Sequence, residues 1–585
     1  MRVEERWMLQ TKKADFFGLA ERLHLDPVTV RLMVNRGVCD EASMRKYMRG
    51  SKEDEYDPAE MKGARLAASM LWEAIGRGEK ILIASDFDVD GIFSGQILWE
   101  GIRCAGGYAE TRAPHRVKEG YGVNAEMVRK AWDDGFTTMI TCDNGIAAFE
   151  AVTEAKHLGM RVIVTDHHQC IRDEASGQVK LPEADVIVNP HQPGCRYPFD
   201  GLCGAGVAYK LMELFFRQGG LPMERCDRFL EYAAIATVAD VMDLVDENRI
   251  LVKEGLRRLG TTQNAGLRAL IQENGLDAEH LTSYHIGFVI GPCFNAAGRL
   301  DTVDRAFALL RAEEEEAKPL AAELKELNDS RKDMTVRGTE EAIRWVESQP
   351  KLDDILVIPV PDCHESIVGI VAGRIRERYH HPVFVITRAK EGWKGSGRSL
   401  ENWDMFEGLL RCQDLLTKFG GHPMAAGISL AEENIDVFRR RINEATGLTA
   451  KDFQPVVKID VAMPLEYITE RLLAELAVLE PFGKGNPKPI FAESKFRLRR
   501  ARVVGRNRNV LQMQVENMAG TRMDAVYFGE IDAFDSLVEE RYGGKALNDL
   551  YEGLPNPVVL GLAYYPTVNE YRGIRSIQIT VTNIR

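Results

Sequence analysis

Short β-branched runs alternate with helical stretches from about residue 64 onward. The runs are ILIASD (81–86), TTMITCDNG (137–145), RVIVTDHH (161–168) and ADVIVNP (184–190), and each leads into polar or glycine-containing residues. Most are followed by a stretch of helical periodicity, such as AAFEAVTEAKHLG (147–159). Strands that alternate with helices predict an α/β fold with a parallel sheet covered on both faces.

Changes in this pattern along the chain divide it into five regions, which we expect to form three or four domains. Residues 1–63 form a preface of short helices, as in DPVTVRLMVNRGV (26–38), and residues 64–303 form the first α/β lobe. Residues 304–347 are rich in Ala, Leu, Glu and Lys with apolar positions three and four apart, which predicts long linking helices. Strands and helices resume over 348–452 as a second α/β lobe, and short strands with turns over 453–585 predict a small barrel or sandwich.

Composition and charge narrow the classes of protein. A chain of 585 residues with 45% hydrophobic content can bury several cores. The ten cysteines lie scattered between Cys39 and Cys412 without a C-x-x-C pair, which excludes a disulfide framework and a zinc finger. No signal peptide and no apolar run of about 20 residues is present, so we expect a soluble, cytoplasmic protein without a membrane partner. The net charge of -13 argues against nucleic-acid binding by the whole surface and leaves local patches to decide.

Acidic and histidine side chains follow several of the predicted strands. They are Asp86, Asp88 and Asp90 after ILIAS, Asp143 after TTMITC, Asp166, His167 and His168 after RVIVT, and Asp240 within AAIATVADVMDL (233–244). In open α/β sheets, ligands bind outside the carboxyl ends of the strands. If these ends converge, carboxylates so close together repel one another unless a cation neutralises them.

The conjunction of these segments predicts a pair of divalent metal ions. Two such ions about 3.5 to 4 Å apart, bridged by a carboxylate, are the usual arrangement. Mixed imidazole and carboxylate ligands favour Mn2+ over Mg2+. Taken singly, each segment has another reading: D-x-D-x-D also occurs in magnesium-nucleotide sites and calcium loops, Asp143-Asn144-Gly145 is typical of a tight turn, and one histidine can be an ordinary loop residue.

The order of these motifs resembles the DHH phosphoesterase superfamily, named for the triplet Asp166-His167-His168. Within it the chain is similar to the RecJ family, which carries a DHHA1 domain and a C-terminal OB-fold. The further segments that carry this resemblance are YPFDGLCGAGVAYKL (197–211), GPCFNAAGRL (291–300), LNDSRK (327–332), HESIVGIVAGRI (364–375), KGSGRS (394–399) and FGGHPMAAG (419–427). They span nearly the whole chain.

The resemblance implies an exonuclease that hydrolyses single-stranded DNA from the 5′ end in DNA repair and recombination. It implies metal ligands Asp88, Asp90, Asp143, His167 and Asp240, with Asp86, Asp166 and His168 in support and His168 near the scissile phosphate. Phosphate-binding residues implied in the second lobe and its cleft are Arg299, Arg374, Ser396, Arg398, Gly420, Gly421 and His422. Single-stranded-DNA-binding protein and a RecQ-type helicase are the protein partners that such an activity suggests.

The basic segment SKFRLRRARVVGRNRN (494–509) is the best electrostatic footprint for a nucleic-acid backbone. It holds seven Lys or Arg between Lys495 and Arg508 and no acid. We expect Arg499, Arg500 and Arg502 to line a basic barrel strand like that of an OB-fold, and a solvated strand without a ligand is the alternative.

Two departures from the RecJ pattern concern contacts with the substrate. Cys293 stands after Pro292 where an arginine is expected, and Asp243 stands where a proline is usual. Two other functions remain open: a DHH/DHHA1 phosphatase or nanoRNase acting on short oligonucleotides or on 3′-phosphoadenosine phosphate, and a non-catalytic scaffold at replication forks. The N-terminal helices and the basic barrel favour longer strands, and the intact acids and histidines favour catalysis. A manganese pyrophosphatase is disfavoured because its second lobe differs from the GGHPMAAG type.

Overall fold

The computed structural model describes residues 5–115, 120, 122–173, 176–390, 392–505, 508–571 and 573–585. The chain forms two compact units. The first contains residues 1–49, 447–480 and 487–585, and the second contains residues 50–446 and 481–486. Among the described residues, no helix combines the length and the apolar character needed to cross a lipid bilayer.

The N-terminal segment of the first unit is mainly helical. Its elements are β1 (Arg6–Leu9), α1 (Phe16–Leu23), α2 (Pro27–Asn35) and α3 (Glu41–Arg49). The side chain of Asp26 caps α2 by accepting a hydrogen bond from the backbone N–H of Val28 (2.8 Å), and Pro27 occupies the first helical position. Strand β1 pairs in parallel with a strand of the C-terminal region, residues 456–459.

The second unit begins with a lobe built on a five-stranded parallel sheet. Its strands are β2 (Lys80–Ala84), β3 (Tyr108–Arg112), β4 (Phe136–Thr141), β5 (Arg161–Thr165) and β6 (Val186–Val188), in the order β3-β2-β4-β5-β6. Its helices are α4 (Ala64–Gly76), α5 (Val89–Cys104), α6 (Ala125–Asp133), α7 (Phe149–His157), α8 (Gly204–Gly219), α9 (Met223–Cys226), α10 (Phe229–Ala239), α11 (Asp246–Leu259), α12 (Ala265–Glu273), α13 (Ser283–His285), α14 (Gly291–Leu300) and α15 (Asp304–Arg311).

Alternation along the strands buries both faces of this sheet. Ile81 and Ile83 pack into the core that includes α4, α5 and α8, whereas Leu82 and Ala84 pack into the core that includes α6 and α7. Burial on both sides explains why the strand is a continuous apolar run. The acids and histidines that follow β2, β4 and β5 therefore lie at the carboxyl edge of the sheet.

A single long helix connects this lobe to a smaller α/β lobe. Helix α16 (Glu314–Glu347) has 34 residues, and it follows α15 directly. The second lobe contains β7 (Leu356–Pro359), α17 (Val368–Tyr379), β8 (Val383–Arg388), β9 (Trp393–Arg398), α18 (Met405–Leu410), β10 (Leu416–His422), β11 (Ala425–Leu430) and α19 (Ile435–Ile442). The sheet order is β10-β11-β9-β8-β7, with only β7 and β8 parallel.

The C-terminal region of the first unit is a closed barrel. Its elements are β12 (Val456–Ile459), β13 (Val461–Ala462), α20 (Glu470–Val478), β14 (Phe491–Val504), β15 (Val510–Asn517), β16 (Arg522–Tyr527), α21 (Ile531–Tyr542), α22 (Gly544–Glu552), β17 (Val559–Tyr571) and β18 (Ile574–Ile584). Strands β14, β15, β16, β18 and β17 pair in that order, and β17 pairs back to β14. The predicted architecture of two α/β lobes and a β-rich barrel is confirmed, and the barrel form replaces the sandwich alternative. Helices α21 and α22 were not predicted.

The environment predicted for Asp240 is wrong, because this residue does not follow a strand. Helix α10 ends at Ala239, and Asp240 is the residue immediately after it. The run AAIATVA is small and apolar throughout, and most of α10 is buried. A buried helix and a buried strand give the same apolar run, so periodicity could not separate them.

Candidate metal centre and phosphate cleft

Carboxylates from the start of α5, from the turn after β4 and from the end of α10 surround the imidazole of His167. Its Nε2 atom lies 3.1 Å from Asp143 Oδ1, 3.6 Å from Asp90 Oδ2 and 4.0 Å from Asp240 Oδ2. His167 follows β5, so four separate segments of the chain meet here. The structure thus brings together the predicted ligands from distant parts of the sequence.

The D-x-D-x-D-G spacing follows from how α5 begins. Asp88 caps this helix, and its Oδ1 accepts a hydrogen bond from the backbone N–H of Gly91 (3.1 Å). A Cβ on Gly91 would lie 2.5 Å from the carbonyl oxygen of Asp86, so only glycine fits there. This tight turn leaves Asp90 in the first turn of the helix.

Asp90 is held by the start of a second helix. Its carboxylate oxygens accept hydrogen bonds from the backbone N–H groups of Gly204 (2.6 Å) and Ala205 (2.7 Å), the first residues of α8. The partial positive charge of a helix N-terminus attracts a carboxylate group. These two amides were not predicted from the sequence, although a G-A-G run opening a helix is the signal that could have indicated them.

Asp143 takes part in both a tight turn and the acidic cluster. Its φ is 60°, in the left-handed region, and Gly145 also has positive φ (115°). The side-chain amide of Asn144 donates to the carbonyl oxygens of Ala84 (3.2 Å) and Cys142 (2.9 Å), which ties the ends of β2 and β4 together. The two readings of Asp-Asn-Gly are therefore compatible, because the turn aims Asp143 at His167.

Asp166 orients the second histidine of the triplet. Its Oδ1 lies 2.8 Å from Nδ1 of His168, and its Oδ2 accepts from the backbone N–H of Ile146 (2.9 Å). Burial disfavours the charged imidazole, but the hydrogen bond and charge of Asp166 outweigh it and raise the pKa of His168 to about 9. A cavity of about 880 Å3 opens beside His168, with Gln169 and Arg129 among its lining residues.

Electrostatics in the cluster favour a divalent cation. Burial and the charges of Asp90 and Asp88 raise the pKa values of Asp143 and Asp240. Burial lowers the pKa of His167 and so favours the neutral imidazole that ligates metals. The combinations whose ligand atoms come close enough to share an ion are Asp86 with Asp88 and Asp143, Asp90 with His167 and Asp240, and Asp143 with His167 and His168. Carboxylates together with an imidazole are a donor set that fits Mn2+, and a bound cation would neutralise the repulsion between the carboxylates.

The second lobe presents a glycine floor flanked by polar side chains. Across β10, β11 and β9 one row pairs Gly420, Gly427 and Ser396, and the second row beyond it pairs His422, Ala425 and Arg398. A Cβ on Gly420 or Gly427 would meet no atom within 4 Å, so the space above this floor is open. Gly421 lies in the row between them, and its Cβ would face the other side of the sheet. The exposed floor suits close approach of a sugar-phosphate backbone.

Arginines from both lobes lie around α17. The guanidinium of Arg299, on α14, donates to the carbonyl oxygen of Ser366 (2.8 Å), just before α17. A Cβ on Gly369, in the first turn of α17, would lie 3.0 Å from the Arg398 guanidinium. Burial and the nearby charge of Arg374 lower the pKa of Arg331 on α16. Like charges facing each other in this way suit a bound phosphate, and Arg331 was not singled out from the sequence.

The three predicted arginines of the barrel differ in their surroundings. Arg499 makes two hydrogen bonds to Glu516 on β15 (2.9 and 2.8 Å), which with Arg522 lower the pKa of Glu516 to about 2. Arg500 and Arg502 line a polar groove of about 310 Å3, together with glutamines from β15 and β18. The groove therefore offers two arginines to a strand, while Arg499 is already neutralised. Arg506 of the basic segment lies outside the described residues.

Three family models match successive parts of the chain. They are the DHH family N-terminal domain over residues 80–237, the DHHA1 domain over residues 353–447 and the RecJ OB domain over residues 459–583. The first includes all the candidate ligands up to His168, the second includes the glycine floor, and the third includes the arginine groove.

Curated and solved relatives agree with these matches. The chain is 38% identical over 539 residues to the single-stranded-DNA-specific exonuclease RecJ of Bacillus subtilis, covering 91% of this chain and 67% of that protein. It is 34% identical to RecJ of Dickeya dadantii, covering 95% of each. The crystal structure of Thermus thermophilus RecJ in complex with Mn2+ superposes with a TM-score of 0.80 at 26% identity, covering 99% of this chain and 79% of that one.

Proposed function

The chain belongs to the RecJ family, and on that premise we propose that it is a metal-dependent exonuclease specific for single-stranded DNA. Hydrolysis from the 5′ end with release of mononucleotides is part of the proposal, and it comes from the family resemblance. The observation that carries the proposal is the convergence of Asp90, Asp143 and Asp240 on His167, a group of acids whose mutual repulsion a bound cation relieves.

We propose that two divalent ions, preferably Mn2+ and otherwise Mg2+, bind this cluster. The ligands would be Asp88, Asp90, Asp143, His167 and Asp240, with Asp86 in support. Such ions supply Lewis-acid activation of water and charge neutralisation at the leaving oxygen. The donor set of carboxylates with one imidazole is the observation that favours manganese.

The protein's own residues would position the scissile phosphate. His168, held by Asp166, is placed to donate a hydrogen bond to a phosphate oxygen as negative charge develops there. Ser396, Arg398 and His422 would bind the sugar-phosphate backbone over the glycine floor, with Arg299 and Arg374 at its border. This positioning lowers the barrier because the reacting groups lose their freedom of motion before the chemical step.

The cellular role is a further proposal. A single-strand exonuclease of this kind would act in DNA repair and recombination, with single-stranded-DNA-binding protein and a RecQ-type helicase supplying or presenting the strand. All ten cysteines are free, which suits the reducing cytoplasm. Groove residues Arg500 and Arg502 support a role for the barrel in holding long strands.

Comparison of substrates tests this function against its alternatives. We would measure hydrolysis of long single-stranded DNA, duplex DNA, dinucleotides and 3′-phosphoadenosine phosphate with Mn2+ present. A nuclease of the proposed kind degrades the long single strand far faster than the duplex. Hydrolysis of only the small substrates would replace the proposal with a DHH/DHHA1 phosphatase or nanoRNase, and binding of strands without hydrolysis would replace it with a scaffold.

A further inference from the structure

Two exposed aromatic rings of the first α/β lobe stack on each other. The side chains of Tyr284 and Phe288 are 62% and 68% exposed, and their ring centroids lie 4.9 Å apart at an interplanar angle of 26°. Together the two rings form a small exposed apolar patch on which a flat ligand such as a base can stack. Neither ring contributes to the cores of the lobe.

The backbone that carries the two rings contains a π-helical turn, and this turn packs beside the helix end that precedes the candidate metal ligand Asp240. Residues Ile286–Ile290 form one π-helical turn between α13 and α14, a feature found frequently at functional sites. A Cβ on Gly291 would lie 3.1 Å from Cβ of Ala239, the last residue of α10. Since Asp240 follows Ala239, the aromatic pair stands on a turn that packs against the end of the helix that positions Asp240.

A lysine is anchored beside the same helix end. Residues 481–486 form a short loop in which the backbone carbonyl of Lys484 accepts from the N–H of Leu244 (2.8 Å). The ammonium of Lys484 lies 3.5 Å from Asp243, and both side chains are more than half exposed. The hydroxyl of Ser283, next to Tyr284, donates to the carbonyl of Phe482 in this loop (2.5 Å). The hydrogen bond from Ser283 to Phe482 therefore joins the segment that carries the aromatic pair to the loop that carries Lys484.

We propose that Tyr284, Phe288 and Lys484 bind the part of the DNA strand that remains after each cleavage. Bases stack on the aromatic pair, and a phosphate pairs with Lys484, which Asp243 orients while the strand is absent. In this proposal the released nucleotide occupies the cavity beside His168. The remaining strand needs an open surface instead, and the surface formed by Tyr284, Phe288 and Lys484 adjoins Asp240. Stacking tolerates any base, which suits an enzyme that must advance through every sequence. The inference rests on the proposed exonuclease function.

Abasic substrates test the stacking directly. We would compare KM for a long oligothymidylate with KM for the same strand carrying abasic units behind the terminal nucleotide. The parent enzyme should have about 10-fold lower KM for the strand that carries bases, as expected for loss of one stacked base. The double variant Tyr284→Ala/Phe288→Ala should show the same KM for both strands, and the conservative variant Tyr284→Phe should keep the parent's preference.

Controls separate stacking from a loss of structure. Phe17→Ala removes an aromatic side chain that is 78% exposed in the other unit, and it should keep the preference. If the alanine double variant unfolds, Tyr284→Leu/Phe288→Leu retains the apolar bulk and should still lose most of the preference. A parent without preference, or a double variant that keeps it, overturns the inference. Failure of the parent to degrade either strand instead removes the exonuclease function, and the inference with it.

The salt dependence of KM tests the lysine separately. One lost phosphate contact lowers the slope of log KM against log salt by about 0.7 for a single strand. Lys484→Gln should show this reduction, whereas Lys318→Gln, at an exposed position on α16, should leave the slope unchanged. An unchanged slope in Lys484→Gln contradicts the phosphate contact.

Discussion

Asp166 Oδ1 lies 2.8 Å from Nδ1 of His168, while His167, the next residue along the chain from Asp166, faces the acidic cluster. One carboxylate therefore fixes the orientation of one histidine while the neighbouring imidazole points at the candidate ligands. This division of roles explains why the triplet holds two histidines that are not equivalent. It also gives the two histidines different expected effects on catalysis.

Replacing His168 should lower catalysis without loss of metal. We expect His168→Ala to reduce kcat by about 100-fold or more, since it removes a donor to the developing charge. Mn2+ affinity, measured by calorimetry, should change little. His167→Ala should instead weaken Mn2+ binding, and the account is contradicted if the two variants show the same loss of metal affinity. Asp166→Asn should fall between the parent and His168→Ala in kcat.

Stability should depend on pH through Glu55. The side chain of Glu55 is 4% exposed and approaches Lys210 (3.1 Å), which also contacts Glu213 and Glu247. Burial raises the pKa of Glu55 from 4.5 to about 7, although the charge of Lys210 opposes this. The folded chain therefore binds more protons than the unfolded chain between these values, and its stability falls as pH rises through that range.

Glu55→Gln should remove this part of the pH dependence. The free energy of unfolding of the parent should decrease from pH 5 to pH 8, by about 3 kcal/mol at most from this group. The variant should show a flatter profile and should gain stability relative to the parent above pH 7. Glu53→Gln, at an exposed neighbouring position, should retain the parent's slope. Chemical denaturation at each pH checks this, and parallel profiles for parent and Glu55→Gln would disprove the assignment.

Filling the glycine floor should impair substrate binding and spare the fold. The space above Gly427 is open, so Gly427→Val meets no atom within 4 Å of its Cβ and places a good strand former in β11. We expect thermal stability equal to or above that of the parent and kcat/KM on single-stranded DNA reduced about 10-fold. Gly76→Ala, at another open position, should leave kcat/KM unchanged. Full activity in Gly427→Val would show that no backbone approaches the floor.

The arginines of the barrel should contribute unequally to binding. Arg500→Gln/Arg502→Gln should lower the affinity for long single strands and reduce the slope of log K against log salt by about 1.4, at 0.7 per lost phosphate contact. Arg499→Gln should change the slope much less, because Glu516 already neutralises this arginine. Binding titrations at several salt concentrations check both. Equal slopes for the two variants would contradict the assignment of the groove.

Much of the architecture could be predicted because hydrophobic periodicity and the ends of strands are patterns among residues that are close together in the sequence. The runs around Ile81, Met139 and Val162 predict buried parallel strands, and the acids after them had to meet at one edge of the sheet. Asp240 joins the same cluster from the end of a helix. A buried helix and a buried strand can have the same apolar run, so the sequence did not separate them. The position of its side chain depends on the packing of α10, which no local pattern encodes.

Partners distant in sequence could not be predicted. The amides of Gly204 and Ala205 bind Asp90 across 114 and 115 positions of sequence. Arg499 belonged to a segment without acids, yet its side chain donates two hydrogen bonds to Glu516 on the adjacent strand, although the register pairs Glu516 with Arg497. The position of Lys484 depends on a hydrogen bond between its loop and Leu244. Tertiary contacts determine which partner neutralises or positions each of these residues. Counting charged residues along the sequence therefore does not predict the net charge around them.

Release of labelled nucleotides from single-stranded DNA is the decisive test of a metal-dependent nuclease centred on the acidic cluster. We would compare 5′-labelled and 3′-labelled strands with Mn2+, with Mn2+ removed by chelation, and with Asp143→Asn, which removes the acid nearest to Nε2 of His167. The account predicts early mononucleotide release from the 5′ label alone, abolished both by chelation and by Asp143→Asn. Release that persists after chelation, or that Asp143→Asn leaves intact, would contradict a metal-dependent nuclease centred on this cluster.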